Sequence, residues 1–282
     1  MKQMIEFKRS SVEKIDEYIK LYNKAFHKIG KKKIYFDWLY RKNPMGEFIG
    51  IDCYFNDLII GQVGGIPIEF DYLKKKVKFI ISINVCVDPE HQGKKLFSKM
   101  AIELEELVKK LNFDGIIAIA NKAATPAWQK SINLNFLKQL DVLLGFGNFK
   151  DKEFDKNAYN FYSCWNNKKL EWRLENPHKR TYLSDRNHKT NSIYSETDYP
   201  FIEAYAPLVF ADNDIKIESV QKSLMKPVIF IGLTQKIKKK LFIKLPEMFK
   251  PSPLNFLYKF IKSNNKLDSE KVFFTFLDFD AF

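Results

Sequence analysis

The sequence predicts an α/β fold with a mixed, mostly antiparallel sheet flanked by helices, followed by a second, smaller α+β lobe. Three observations predict it: a helical repeat of apolar side chains near the start, strand-like runs between residues 48 and 87, and an amphipathic helix between two later strands. With 282 residues the chain exceeds most single domains, so we place a boundary between residues 1–150 and residues 151–282.

The first helix is predicted to begin at Ser10, because Ser10 and Glu13 have the spacing of a capping box. Apolar side chains then recur at helical spacing, at Val12, Ile15, Ile19, Tyr22 and Phe26. A second helix over residues 35–42 ends before Asn43-Pro44, since a residue that precedes proline disfavours the helical region.

The following runs are typical of strands. Residues 48–55 and 58–70 flank the turn signal Asn56-Asp57, and residues 77–87 form one long run rich in β-branched side chains. Glycines inside the second run predict a bulge or a close approach of two backbones, at Gly61, Gly64 and Gly65.

The apolar stripe from Phe97 to Leu111 predicts a helix of about four turns. Thr125-Pro126 has the form of an N-cap and first helical residue, so another helix follows there. The remaining pattern predicts strands over 116–120, 137–146, 227–233, 241–245 and 272–279 and helices over 170–175 and 254–262. Residues 36–44 and 170–177 resemble each other, as a duplication or as two unrelated helices that Asn-Pro stops.

The net charge of +13 comes from 47 basic and 34 acidic residues. It suits an anionic partner such as a phosphorylated cofactor, an acidic glycan or nucleic acid, and a lysine-rich background composition explains it equally well. Cys53, Cys86 and Cys164 lack metal-ligand spacing, so we expect free thiols and no metal site. No apolar run approaches the roughly 18 residues of a membrane span, and no signal core begins the chain, which predicts a cytoplasmic protein.

The segment from Val85 to Phe97 carries the strongest chemical signal. A strand ends, a basic loop containing Gly93 turns, and a helix begins. The N terminus of a helix leaves backbone N–H groups unpaired and favours an anion, so such a loop can cradle a pyrophosphate. Lys94 and Lys95 add positive charge at that place.

This segment resembles the acyl-CoA motif of the GNAT acyltransferase superfamily, in which a strand leads into Gln/Arg-x-x-Gly-x-Gly/Ala and a long helix. Val87, Pro89 and Gln92 stand in register with that motif. Lys95 replaces its first glycine and Phe97 its second small residue, and the loss of glycine restricts any positive φ. The resemblance covers residues 12–149 and implies a GNAT-like fold, with a second lobe that is a degenerate copy or an accessory.

The resemblance implies acetyl-CoA as the acyl donor. It places the donor against Val85, Cys86, Val87, Gln92, Gly93, Lys94, Lys95, Leu96, Phe97, Asn121 and Trp128. Family members often carry a tyrosine seven residues after this asparagine, and Trp128 cannot protonate a leaving thiolate as a tyrosine can.

The mechanism that the resemblance implies is direct attack of an amine on the thioester, with backbone N–H groups around Val85–Val87 polarising the carbonyl oxygen. A glutamate early on this strand often serves as general base, but Ile81 and Ser82 stand there. Glu47 or Glu69 could act from another element, and the sequence singles out neither. The catalytic residues are therefore unknown at this stage.

The predicted function is acyl-CoA-dependent N-acyl transfer to a small-molecule amine. Similarity to two-part acyltransferases encoded with surface-polysaccharide genes suggests an amino sugar or a nucleotide-amino-sugar, with Trp38, Arg41 and Asn84 at the acceptor. A twin-lobed aminoacyl-tRNA-dependent transferase is an alternative, although such families lose the CoA loop that survives here. A non-catalytic CoA-binding module is the other. We expect no membrane partner and disfavour a nucleic acid.

Overall fold

The computed structural model describes residues 5–26, 32–147, 149, 154–184, 192–212, 215, 217, 219, 226–235, 242–246 and 252–279. Its α-helices are α1 (Ile15–Ala25), α2 (Lys33–Tyr40), α3 (Leu96–Lys110), α4 (Ala124–Ile132) and α5 (Asn167–Leu174). The first strands are β1 (Ile5–Arg9), β2 (Ile49–Phe55), β3 (Leu58–Tyr72), β4 (Lys75–Ser82), β5 (Cys86–Val87), β6 (Gly115–Ala120), β7 (Asn135–Gln139) and β8 (Asp141–Phe146). The later strands are β9 (Phe161–Tyr162), β10 (Thr181–Ser184), β11 (Ser192–Glu196), β12 (Glu203–Pro207), β13 (Pro227–Leu233), β14 (Phe242–Lys244), β15 (Asn255–Phe260) and β16 (Val272–Thr275).

The chain packs into two compact units, each assembled from three segments. Unit 1 consists of Met1–Ile68, Lys78–Leu137 and Leu254–Asn265. Unit 2 consists of Glu69–Val77, Lys138–Pro253 and Lys266–Phe282. These units differ from the predicted division at residue 150, because long-range strand pairing, and not chain order, decides which segments pack together.

Unit 1 is built on a mixed sheet. Strands β1, β2 and β3 pair antiparallel in succession, β4 lies beside β3, β4 pairs parallel with β6, and β6 pairs antiparallel with β15. Helix α3 contributes Leu96, Met100 and Leu104 to a continuous apolar core with side chains from β2, β3, β4 and β6. The predicted α/β class, with a mostly antiparallel sheet and flanking helices, is confirmed.

The predicted helix over 254–262 is wrong, because this segment is strand β15. It pairs with β6 from Asn255↔Ala120 to Phe260↔Gly115. The local sequence Asn-Phe-Leu-Tyr-Lys-Phe is rich in aromatic side chains, which suit a pleated and half-buried surface. The outcome depends on the pairing with β6, which lies far earlier in the chain, so local periodicity cannot predict it.

The predicted continuous strand over 77–87 is broken. Strand β4 ends at Ser82, β5 begins at Cys86, and between them Asn84 has the left-handed φ of +51°. Strand β4 pairs with β6 as far as Ser82↔Ala118, whereas β5 pairs with β3. The sheet of unit 1 therefore parts between β5 and β6, and the N terminus of α3 follows directly.

Two of the three glycines of β3, Gly64 and Gly65, lie where two backbones approach closely, as predicted. A Cβ atom on Gly64 would lie 2.4 Å from the Ile49 carbonyl oxygen, and one on Gly65 would lie 2.2 Å from the Ile81 carbonyl oxygen. The register with β2 also shifts between Cys53 and Tyr54, which is the predicted bulge. These contacts fix the position of β4 immediately before the break.

Unit 2 contains a second set of strands. Strands β10, β11 and β12 form an antiparallel meander, β12 pairs parallel with β13, and β13 pairs antiparallel with β8 and β16. Tyr182, Tyr194 and Tyr205 stand in register across the meander, with neighbouring ring centroids 5.6 Å apart. The meander follows α5 as β2 and β3 follow α2, so a duplication of this segment stays a prediction.

The start of α1 differs from the predicted capping box. The Ser11 side chain, and not that of Ser10, accepts a hydrogen bond from the Glu13 N–H at the 3-10 turn before α1. Ser10 Oγ instead donates to Asp52 Oδ1 over 2.6 Å. None of the helices that the structure describes is long and apolar enough to cross a membrane.

Candidate functional site

The loop between β5 and α3 is fixed by two side-chain hydrogen bonds. Asp88 Oδ1 accepts from the Glu90 N–H over 3.0 Å and caps the short 3-10 turn Pro89–His91. Gln92 Nε2 donates to the Val87 carbonyl oxygen over 3.2 Å. The predicted motif residues Val87 and Gln92 therefore contact each other, and the loop leaves β5 in one defined direction.

The N terminus of α3 is open. No side chain caps it, and its first turn holds no acidic residue. Gly93 has a φ of +78°, and a Cβ atom added there would meet nothing within 4 Å. Lys94 and Lys95 are exposed beside it. Unpaired backbone N–H groups with free space and two cations in front of them form a place for a phosphate or pyrophosphate group.

Lys95 adopts the conformation that the motif glycine would supply. Its φ of +58° and ψ of +22° lie in the left-handed region, and it forms the N-cap of α3. We expected the loss of glycine to restrict positive φ here, and the structure shows that the lysine takes it nonetheless. A side chain in this region costs about 1–2 kcal/mol, which the surrounding loop must offset.

Replacing Lys95 with valine should therefore lower both stability and acetyl-CoA affinity, because a β-branched side chain tolerates positive φ worst. We expect about 1–2 kcal/mol of destabilisation for Lys95→Val, and stability equal to or above the wild type for Lys95→Gly. Lys94→Val is the matched control, as it removes the same charge from the neighbouring position. Thermal unfolding and titration calorimetry with acetyl-CoA measure both quantities, and equal behaviour of the two valine variants would contradict this reading.

The backbone of β5 directs an N–H donor toward the gap between β5 and β6. The Asp88 N–H donates to the Ile60 carbonyl oxygen over 2.8 Å, and β5 pairs with β3 at Gly61↔Val87. Hydrogen bonding alternates along an antiparallel pair, so the N–H of Val87 points away from β3. It points to the side where β6 no longer pairs, which is a suitable direction for binding an oxygen atom.

Two predicted donor contacts have structural roles. Asn121 Oδ1 accepts from the Ala124 N–H over 2.8 Å, which satisfies the first turn of α4. Trp128 is only 3% exposed, packs in the core and makes an edge-on ring contact with Phe97 at 5.0 Å. Trp128 therefore packs α4 against α3. Its ring contacts Phe97, the residue that replaces the second small residue of the motif.

In the structure, two of the residues predicted to contact the acceptor make packing contacts or ion pairs. Trp38 is 2% exposed in α2 and belongs to the core, so its ring has no surface to offer an acceptor. Arg41 donates to the Val12 carbonyl oxygen over 2.8 Å and pairs with Glu13 and Asp37, so it ties α2 to the start of α1. Asn84 lies at the break after β4 and is half-buried, and its contact with the acceptor stays a prediction.

The two buried cysteines of unit 1 are protonated thiols. Burial raises the pKa of Cys86 to about 12 and that of Cys53 to about 11.

Asp88, Glu90 and His91 lie close enough together to hold a metal ion. Lys24 Nζ, however, lies 2.8 Å from Asp88 Oδ2 and 3.1 Å from Glu90 Oε2, so one ammonium group already forms ion pairs with both carboxylates.

The end of β4 carries no carboxylate at the position where a general base is expected. Ile81 is buried, and Ser82 Oγ donates to the Gly64 carbonyl oxygen over 3.1 Å. Glu47 is exposed, and Glu69 belongs to unit 2, where it lies 3.6 Å from both Lys169 and Lys76. The position of the family glutamate thus offers no carboxylate, as the sequence predicts.

A buried polar cluster escaped the sequence analysis. Asp52, Gln62 and Tyr40 are each 2% exposed or less and lie behind the break. Hydrogen bonds join them in series, from Asp52 to Gln62, from Gln62 to Tyr40 and from Tyr40 to Asn84. The signal was present in the sequence, since Asp52 and Gln62 are polar positions inside otherwise apolar strands. Burial raises the pKa of the Asp52 carboxyl and that of the Tyr40 hydroxyl.

The parted mixed sheet and the open helix terminus beside it define an α/β protein in which a loop leads into an uncapped helix N terminus. Residues 6–117 match the family model described as an acetyltransferase (GNAT) domain. This part of the chain is therefore similar to a GNAT acetyltransferase domain. No curated protein matches the sequence.

Solved structures share the fold of nearly the whole chain. A conserved protein of unknown function from Enterococcus faecalis V583, described as a probable N-acyltransferase, is 11% identical, with a TM-score of 0.59 over 92% of this chain and 73% of that one. A GCN5-related N-acetyltransferase from Anabaena variabilis is 12% identical with a TM-score of 0.56 over the same shares. Eis1 from Mycobacterium abscessus is 9% identical, with a TM-score of 0.54 over 92% and 74%. At such identities the likeness concerns the fold alone.

Proposed function

We propose that this protein is an acyl-CoA-dependent N-acyltransferase that takes acetyl-CoA as donor and a small-molecule primary amine as acceptor. The observation that carries the proposal is the open N terminus of α3 beside the gap between β5 and β6. The backbone N–H groups of the first turn of α3, with Lys94 and Lys95, would hold the pyrophosphate. Bound acyl-CoA would supply the activated thioester.

The residues at the gap suit acyl transfer by positioning. The Val87 N–H would donate to the carbonyl oxygen of the thioester, where negative charge develops during attack. Asn84 would contact the acceptor on the other side of the break. With no carboxylate on β4, the rate depends on holding an already deprotonated amine in place. An amino sugar or nucleotide-amino-sugar fits this class of acceptor, and so do other primary amines.

The test is titration calorimetry with acetyl-CoA, followed by thiol release with a panel of amines that includes amino sugars. Acetyl-pantetheine, which lacks the pyrophosphate, is the control ligand and should bind at least tenfold more weakly if α3 holds that group. Failure of acetyl-CoA to bind at all would overturn the proposal. Titration of an acyl-CoA with a longer acyl chain, in parallel with acetyl-CoA, measures which acyl group the protein prefers.

A non-catalytic acyl-CoA-binding module is the second candidate. Trp128 favours it, because a buried indole in place of the family tyrosine cannot protonate the leaving thiolate. Binding of acetyl-CoA without thiol release on any amine of the panel would decide for this module, and release with one amine would decide against it.

A further inference from the structure

A chain of hydrogen bonds leads from the break after β4 into the core of unit 1. Asn84 Nδ2 donates to the Tyr40 hydroxyl over 3.2 Å, and that hydroxyl donates to Gln62 Oε1 over 3.2 Å. Gln62 Nε2 then donates to Asp52 Oδ1 over 3.3 Å. The chain ends at a side chain that is fully buried.

The buried end fixes the direction of every bond in the chain. Oδ1 of Asp52 accepts from Ser10 Oγ over 2.6 Å and from Gln62, and Oδ2 accepts from the Tyr18 hydroxyl over 2.8 Å. A carboxylate only accepts, so Gln62 must turn its Nε2 toward Asp52 and its Oε1 toward Tyr40. Tyr40 must then donate to Gln62, which leaves only its oxygen to face Asn84.

The consequence appears at Asn84. Because the Tyr40 oxygen accepts, the Asn84 amide must present its Nδ2 there, and its Oδ1 faces away from Tyr40. In the part of the chain that the structure describes, no donor reaches this oxygen. Asn84 has a left-handed backbone conformation at the break, and the residue is half-buried there.

We propose that Asp52, acting through Gln62 and Tyr40, orients the Asn84 amide so that Oδ1 accepts a hydrogen bond from an N–H of the amine acceptor. The proposal deepens the N-acyltransferase function and rests on it. Asn84 is then the residue that contacts the acceptor, and Tyr40, Gln62 and Asp52 are positioning residues. An acceptor without an N–H donor gains nothing from this oxygen, so the site favours amines that carry an N–H.

The test follows the side-chain amide signal of Asn84 by nitrogen-15 NMR in the full chain. Methylammonium is the probe, and tetramethylammonium, which has no N–H donor, is its matched control. We expect the Asn84 signal to shift with methylammonium alone. In Tyr40→Phe, which removes the hydroxyl and keeps the ring stacked on Phe48, the affinity for methylammonium should fall about fivefold, the value of one hydrogen bond.

Tyr18→Phe is the control for general damage to the cluster. It also removes a buried hydroxyl that donates to Asp52, but it lies outside the path to Asn84. The Asn84 response should match the wild type in Tyr18→Phe and be weakened in Tyr40→Phe. An equal loss in both variants, or none in either, would overturn the proposal.

Two further measurements distinguish a failure of this proposal from a failure of the proposed N-acyltransferase function. In the wild type, a nuclear Overhauser effect between the Asn84 amide hydrogens and the Tyr40 ring must be present, and its absence sinks the proposal even if no variant folds. If acetyl transfer occurs, Tyr40→Phe should raise the KM of the amine and leave acetyl-CoA affinity unchanged. Failure of acetyl-CoA to bind, with the NMR results intact, would overturn only the acyltransferase assignment.

Discussion

Replacing Gly93 with proline should lower the affinity for acetyl-CoA at least a hundredfold, a loss of about 3 kcal/mol. Proline fixes φ near −65°, whereas Gly93 has a φ of +78°, so the loop cannot keep its path into α3. The substitution also removes one backbone N–H from the entrance to the helix. Both changes act on the place where the pyrophosphate is proposed to bind.

Gly147 provides a matched control for this variant. It has the same φ of +78°, and a Cβ atom added to it would also meet nothing within 4 Å. Gly147→Pro should therefore disturb its own turn to a similar extent and leave acetyl-CoA affinity at the wild-type value. If Gly93→Pro binds as tightly as Gly147→Pro in titration calorimetry, the pyrophosphate lies elsewhere.

Replacing Asp278 with asparagine should remove a pH dependence of about 3 kcal/mol from the stability of the protein. Asp278 is 1% exposed, and burial raises its pKa to about 6 against the opposing attraction of Arg173. Its Oδ2 accepts from the Thr275 N–H over 2.7 Å. An asparagine can accept the same hydrogen bond and carries no charge at any pH.

The sign follows from the direction of the pKa shift. Between about pH 4 and pH 6 the folded chain retains a proton on Asp278 that the unfolded chain has released, so stability falls as pH rises through this window. We expect the wild type to lose about 3 kcal/mol relative to Asp278→Asn between pH 4 and pH 7, as measured by urea unfolding. Asp268→Asn, which alters a more exposed cap of the preceding 3-10 turn, is the control. Parallel stability curves for the wild type and Asp278→Asn would contradict the assignment.

Much of the fold was predictable because the signals are local. The helix from Leu96 and the strand that ends in Ala120 lie within a residue or two of their predicted bounds, since an apolar stripe and a β-branched run depend on neighbouring residues alone. The segment 254–262 was not predictable in this way. Its strand forms only because β6 offers a free edge, and that edge is not encoded near residue 254.

The loop of the candidate site was also predictable, as Gln92, Gly93 and the start of α3 follow from order and spacing in one segment. The left-handed conformation of Lys95 was not predictable, because a lysine in place of the motif glycine disfavours positive φ. Trp38 and Arg41 seemed equally available for an acceptor in the sequence, and only burial and ion pairing assign them to the packing of α2.

By itself the sequence determined the α/β fold, the resemblance to a GNAT domain and the strand–loop–helix order of residues 85–97, because those features rest on contiguous residues. Only the tertiary structure decided that β4 breaks at Asn84 and that Asp52, Gln62 and Tyr40 stand behind it. The physical reason is that a buried hydrogen-bond chain joins residues from β2, β3 and α2. Their proximity comes from strand register and helix packing, which no local pattern records.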